Sequence, residues 1–499
     1  MGNTCEDLGP AQGRRPAGFA TKIVLLAAAA LLAAATTALA GTGGEAARPA
    51  GPQRSTEAGF QLWATRYDGT GGGADEAVAI AASPDGSKVF VTGSSTSSRS
   101  GDYLTAAYDA AGGGELWTAR YDGPDHLLDR ATAIAVSPDG LKVFVTGFST
   151  RKSYHYTAWA TAAYDTATGS QLWVRRLTGP VNNDNEARAL AVSPDGTKLF
   201  VTGFSSYATG YDGTTVAYAV ATGTRLWRQH FDSGETLDEG TALRVAPDGS
   251  KLFVTGFTGN GCCAGDVDFI TLAYKTRNGK QLWEKRYQSA EFAIDEARAV
   301  GVSPDGSRVF VTGSSGPPDS PDYLTIAYSA SDGSQLWLQR SDGPGHAADT
   351  ASGLAVSPDG SKLFVTGTQT QTDGETYFAT EAYATATGAS VWAAAFGGFG
   401  TSLNRAAAIA ASPDGSRVYV TGSTKNLNDQ LPDQYVLVAY DASHPTSYLW
   451  AMTYAHLPLL GDEPAGLAVS PDDSKVFITG RSTGATSDYD YATAAYSTS

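Results

Sequence analysis

The chain has 499 residues and a formal net charge of −16, with 58 Gly, 24 Tyr and 9 Trp but only 3 Cys and 2 Met. The acidic balance leaves no basic stripe to neutralise phosphates, which excludes a general nucleic-acid or anionic-membrane partner. At about 150 residues per domain the length would suggest three domains, an expectation that fails when a chain is built of repeats.

Residues 1–40 read as an export signal. Arg14, Arg15 and Lys22 precede an apolar run from Ile23 to Ala35, and Ala38-Leu39-Ala40 offers small residues for cleavage before Gly41. Left uncleaved, Ile23 to Ala40 is borderline in length for an anchor. No Cys lies near the cleavage point, so lipid attachment is not indicated. Residues 41–58, rich in Gly, Ala, Pro and Thr, read as a flexible linker. The expected location is extracellular, or membrane-anchored if the leader is retained.

From residue 59 onward the chain repeats. A turn of the S-P-D-G type recurs eight times, with its proline at Pro84, Pro138, Pro194, Pro247, Pro304, Pro358, Pro413 and Pro471, a period of about 55 residues. The unit from Asp295 shows what each repeat builds. Ala299 to Val302 and Val309 to Thr312 flank Ser303-Pro304-Asp305-Gly306, where proline presets φ and glycine takes the left-handed position of a tight hairpin. Tyr323 to Tyr328 alternates as a third strand, and Asp332-Gly333 turns into a fourth, Gln335 to Arg340. Four antiparallel strands repeated radially form a propeller blade. Gly59 to Tyr67 is a lone fourth strand and the last unit stops at its third, Tyr491 to Tyr496. The expected fold is therefore all-β: one eight-bladed β-propeller over 59–499, closed by the N-terminal strand completing the last blade. It is expected to be a monomer.

Trp63, Trp117, Trp173, Trp227, Trp283, Trp337, Trp392 and Trp450 recur on the fourth strands, and an Ala-Tyr pair precedes seven of them on the third. The run from Ala163 through Asp165, Thr168 and Gly169 to Trp173 resembles the tryptophan-docking motif of eight-bladed quinoprotein dehydrogenases. The D-x-A-x-A…S-P-D-G…V-F-V-T-G frame is similar to bacterial secreted propeller repeats of the SBBP and YVTN types. These resemblances cover about residues 59–499 and speak to fold, because the motifs fill space between blades.

Strand alternation puts both variable sets of loops on one face, which is where a binding site is expected. Tyr154, His155, Tyr156, Tyr207 and Tyr211 form a candidate aromatic platform there. Asp75, Asp129, Asp238, Asp295, Asp349 and Asp462, with Asn185 and Asn404, start the innermost strands. Two readings are open: a channel-rim ring able to take Ca²⁺, or side chains capping the turn into each strand. Cys262-Cys263 could close a vicinal disulfide after export. Quinoprotein dehydrogenases carry such a pair beside their cofactor, but there it precedes an innermost strand, whereas here it lies between strands two and three.

No G-x-S-x-G or H-E-x-x-H occurs, and the six His show no metal-ligand spacing. We therefore expect a non-catalytic scaffold that presents variable loops to an extracellular protein, glycan or small molecule, with no required cofactor. The alternative is a pyrroloquinoline-quinone (PQQ) oxidoreductase, disfavoured because eight Trp are used in blade packing and Trp159 takes a third-strand aromatic position, which leaves no tryptophan for a cofactor floor.

Overall fold

The computed structural model describes residues 59–498 apart from 70–72, 97–99, 153–155, 261–265, 291–292, 399–401, 427–432, 446, 455–460 and 485–487. The leader and linker read at 1–58 lie outside the described residues, as do Tyr154, His155, Cys262 and Cys263. The described elements are all strands. Among the described residues no helix is long and apolar enough to cross a membrane.

The strands form eight four-stranded antiparallel units. Blades 1 to 7 span Asp75–Tyr121, Asp129–Leu177, Glu186–Phe231, Leu237–Tyr287, Glu296–Ser341, Thr350–Phe396 and Ser402–Tyr454. Blade 8 takes three strands from Glu463–Ser497 and its fourth from Gln61–Tyr67, which pairs with Tyr489–Ser497. Each blade's first strand packs against the first strands of its two neighbours, and blade 8 meets blade 1 the same way, so the ring is closed. Single parallel bridges, Tyr211 to Leu237 and Thr376 to Leu403, link blades 3 and 4 and blades 6 and 7.

The S-P-D-G turns behave as their residues dictate. Gly86 adopts φ 69° and donates its N–H to the Ser83 carbonyl at 2.9 Å. The Asp85 carboxylate accepts from Ser83 Oγ and from the Ser87 N–H and hydroxyl, and the Ser83 bond leads in holding it down at about 2. Blade 8 departs: Asp473 stands in the glycine place at φ 55°.

The glycine of the V-T-G motif has a different cause. The first strand of every blade carries a β-bulge, between Ala77 and Ala79 in blade 1, and the partner strand approaches closely there. A Cβ on Gly93 would fall 1.9 Å from the Glu76 carbonyl oxygen. The motif therefore marks where two backbones touch.

Between blades the docking tryptophans are buried, and seven of the eight are bonded through Nε1. Trp117 Nε1 donates to the Thr166 carbonyl at 3.0 Å and Trp227 to Thr276 at 2.8 Å, each reaching the next blade. Trp63 donates to Ala110 across the closure, at 3.1 Å. Trp159 is fully enclosed on its third strand, with Nε1 bonded to the Phe204 carbonyl at 2.8 Å. Apart from Trp450, each large ring both fills the gap between blades and satisfies its polar atom.

Candidate functional site

The two variable loop sets do converge. On that face a cavity of about 560 Å³ is lined by Asn183 from the loop entering blade 3, by Tyr207 to Tyr211 from the blade 3 hairpin, and by Thr236 and Leu237 from the start of blade 4. Tyr207 and Tyr211 were both expected in the platform. Tyr207 stacks on His230, with ring centroids 5.0 Å apart at 20°, and Arg228 lies over the tyrosine at 5.7 Å. Tyr211 meets Phe204 edge-on at 5.0 Å. Burial raises the Tyr211 phenol; Asp184, Glu186 and Tyr156 add to the rise, and a hydrogen bond with Asn183 opposes it. Tyr156 of blade 2 therefore stands near this group. Tyr154 and His155 fall outside the described residues.

The ring at the start of the innermost strands is capped. Asp75, Asp129, Asp238, Asp295, Asp349 and Asp462 are at most 2% exposed, as are Asn185 and Asn404. Asp75 accepts from the Gly69 and Thr96 N–H groups at 2.5 and 2.9 Å, Asp295 from the Ser289 N–H at 2.6 Å, and Asp462 from the Thr483 N–H at 3.1 Å. Each side chain ties a loop to its blade, as the capping alternative expects. They are enclosed within the blade joins and do not form an open rim.

What sequence reasoning missed lies one to three residues further on. Arg130 bonds Glu76 at 2.6 Å, Arg188 bonds Glu186 at 2.8 Å and Glu239 at 2.5 Å, and Arg298 bonds Glu296 at 3.0 Å. Arg481 bonds Glu463 at 2.7 Å and lies 3.6 Å from Glu76. These ion pairs, partly exposed except at the buried Glu239, are carried by or beside the innermost strands and line the inner edges of the blades. The signal was available as strand alternation: if the Asp turns into the join, its neighbour turns the other way.

Four of the blade joins gather three carboxylates each, with oxygens within 4.8 Å of one another: Asp68, Asp75 and Asp490; Asp102, Asp122 and Asp129; Asp212, Asp232 and Asp238; and Asp322, Asp342 and Asp349. Burial, then neighbouring negative charge, pushes Asp212 up to about 6. Burial also pushes Asp129 up to about 6, against bonds from Ser149 and Gly123.

The PQQ_2 profile, described as outer membrane protein assembly factor BamB, matches residues 101–316 and 270–380, more than half of the chain. The chain belongs to this family. No curated protein matches it. Among solved structures, the quinohemoprotein alcohol dehydrogenase ADHIIG of Pseudomonas putida HK5 is similar at 13% identity and TM-score 0.54, over 88% of this chain and 76% of that one. The quinohemoprotein alcohol dehydrogenase of Comamonas testosteroni matches at 13% identity and TM-score 0.52, over 87% and 76%. Chaetomium thermophilum Sqt1, bound to the N-terminus of the ribosomal protein L10, matches at 14% identity and TM-score 0.57, over 88% and 100%. At these identities the likeness establishes the fold alone.

The PQQ_2 and quinoprotein likeness raises a quinone as a cofactor. A flat tricarboxylate quinone needs an aromatic floor and uncommitted cations. The eight innermost strands contain no Phe, Tyr or Trp. Of the arginines on or beside these strands, Arg130, Arg188, Arg298 and Arg481 are each bonded to a glutamate, whereas Arg405 is exposed. Without an aromatic floor, the axial residues of this PQQ_2-family propeller do not fit the group.

Proposed function

We propose that this propeller is an exported, non-catalytic binding protein whose ligand is taken by the loop face at blades 3 and 4, and that the ligand is a glycan. The observation that carries the reading is the open cavity where Tyr207 and Tyr211 stand beside Asn183, Thr209 and Thr236. Aromatic faces next to an amide and hydroxyls offer the stacking and hydrogen bonding that a sugar ring presents in return. The site sits on variable loops over a uniform frame, the usual division between recognition and scaffold. The leader at 1–40 supports export.

Glycan-array capture with wild type and with Tyr207→Ala/Tyr211→Ala tests the reading. The wild type is expected to retain a defined set of glycans and the double variant to lose them. Equal capture by both, or none by either, would remove the cavity from the function.

A further inference from the structure

The four three-carboxylate joins are not equivalent. In three of them an arginine, three residues after the docking tryptophan, neutralises the third-strand aspartate. Arg66 bonds Asp490 at 2.7 Å, Arg120 bonds Asp102 at 3.0 Å, and Arg340 bonds Asp322 at 3.3 Å. Between blades 3 and 4 the corresponding residue is His230, whose ring is stacked on Tyr207.

That substitution leaves Asp212 without its counter-ion. Asp212 is 1% exposed, and its Oδ1 is buried without a hydrogen-bond partner among the described residues; Asp102 Oδ1 is likewise unpartnered, but there Arg120 holds the other oxygen. Leaving such an atom unsatisfied in a natural fold is costly. Its carboxylate faces those of Asp232 and Asp238. Asp238 is held in place by the Ser233 N–H at 2.9 Å, the Ser233 hydroxyl at 2.7 Å and the Thr258 hydroxyl. Asp232 is exposed, which gives the group an opening to solvent.

We propose that Asp212, Asp232 and Asp238 form a Ca²⁺ site that takes the place of the arginine found at the other three joins. Two oxygens bound to one Ca²⁺ at about 2.3–2.6 Å can lie up to about 5 Å apart, matching the observed spread, whereas Mg²⁺ requires a tighter octahedral shell. The ion supplies the positive charge that the join lacks and ties the blade 3 hairpin to the start of blade 4, beside the cavity. The site stands whether or not that cavity binds a glycan.

The test uses the full chain, stripped with a chelator and titrated with CaCl₂ by calorimetry, with thermal unfolding followed in parallel. Wild type is expected to bind one Ca²⁺ and to unfold at higher temperature when it does. His230→Arg, which restores the arginine of the other joins, is expected to unfold at a higher temperature than chelated wild type and to weaken Ca²⁺ binding at least about tenfold; Asp212→Asn is expected to weaken that binding as much. A wild type that takes no Ca²⁺, a wild type that takes Mg²⁺ equally well, or His230→Arg binding Ca²⁺ as tightly as wild type would each overturn the assignment.

Discussion

The indole of Trp227 donates its hydrogen to the carbonyl of Thr276, 49 residues further along the chain and in the next blade, at 2.8 Å. The same bond recurs around the ring until blade 7. There Trp450 packs against Gly59, but its Nε1 is buried without a partner among the described residues. Blade 8 has no continuous turn between its third and fourth strands, because Gly59 arrives from the other end of the chain and bonds Ser497 instead.

The two tryptophans should therefore respond differently to loss of the N–H. Trp227→Phe strands the Thr276 carbonyl and is expected to cost about 1–2 kcal/mol more than Trp450→Phe, which removes an atom that has no bond to lose. Denaturant unfolding of the two variants checks this, and equal losses would count against the bond.

Asp473 offers a stabilising change. It holds φ 55° where the other seven turns use glycine, so Asp473→Gly is expected to raise stability by about 1 kcal/mol. Its carboxyl is pushed up to about 6, first by burial and then by the charge of Asp414. A carboxyl raised in the folded state contributes stability that is full below its unfolded value of 3.8 and lost as pH climbs through 6. The advantage of Asp473→Gly should accordingly be larger at pH 7.5 than at about pH 4. Thermal midpoints of both proteins across that window measure it.

Arg188 bonds two glutamates from adjacent blades, and Glu239 is only 5% exposed. Arg188→Met leaves both carboxylates facing each other and is expected to destabilise by about 3 kcal/mol, with partial recovery when Glu239→Gln is added. A double-mutant cycle in urea reads the coupling.

One strand completes the closing blade. A chain beginning at Gly69 would lose Trp63, and Arg66, which bonds Asp490 and the Thr483 carbonyl. It would expose the edge of Tyr489–Ser497. Self-association through that edge and a lower unfolding temperature are expected. Light scattering after gel filtration shows which species forms, and a monomer with the wild-type midpoint would contradict the closure's importance.

Legibility followed repetition. Turns, docking tryptophans and the closing strand recur or complete a recurrence, so their spacing announced them. The acids at the strand starts were equally visible, but Asp75 and its counterparts turn into the joins, where backbone N–H groups take them up. Glu76, Arg130 and Arg188 were hidden because they vary between repeats and find their partners across blades. Asp212 was unreadable for a similar reason. Its meaning depends on His230, 18 residues away, being the one position of its set that is not an arginine where three acids meet.

The bulge on each first strand has a consequence for how such a ring diversifies. The residue at the bulge answers to no partner in the ladder, and around the eight blades it is Val78, Thr132, Arg188, Thr241, Arg298, Ser352, Ala407 and Ala465. Where it is a hydroxyl it bonds the next blade's backbone, as Thr132 does to Ala187 at 2.9 Å and Ser352 to Ala406 at 2.8 Å. Where it is arginine it binds glutamate. One position per blade that the ladder does not fix thus lets the throat of the molecule differ from blade to blade, while every strand pairing stays the same.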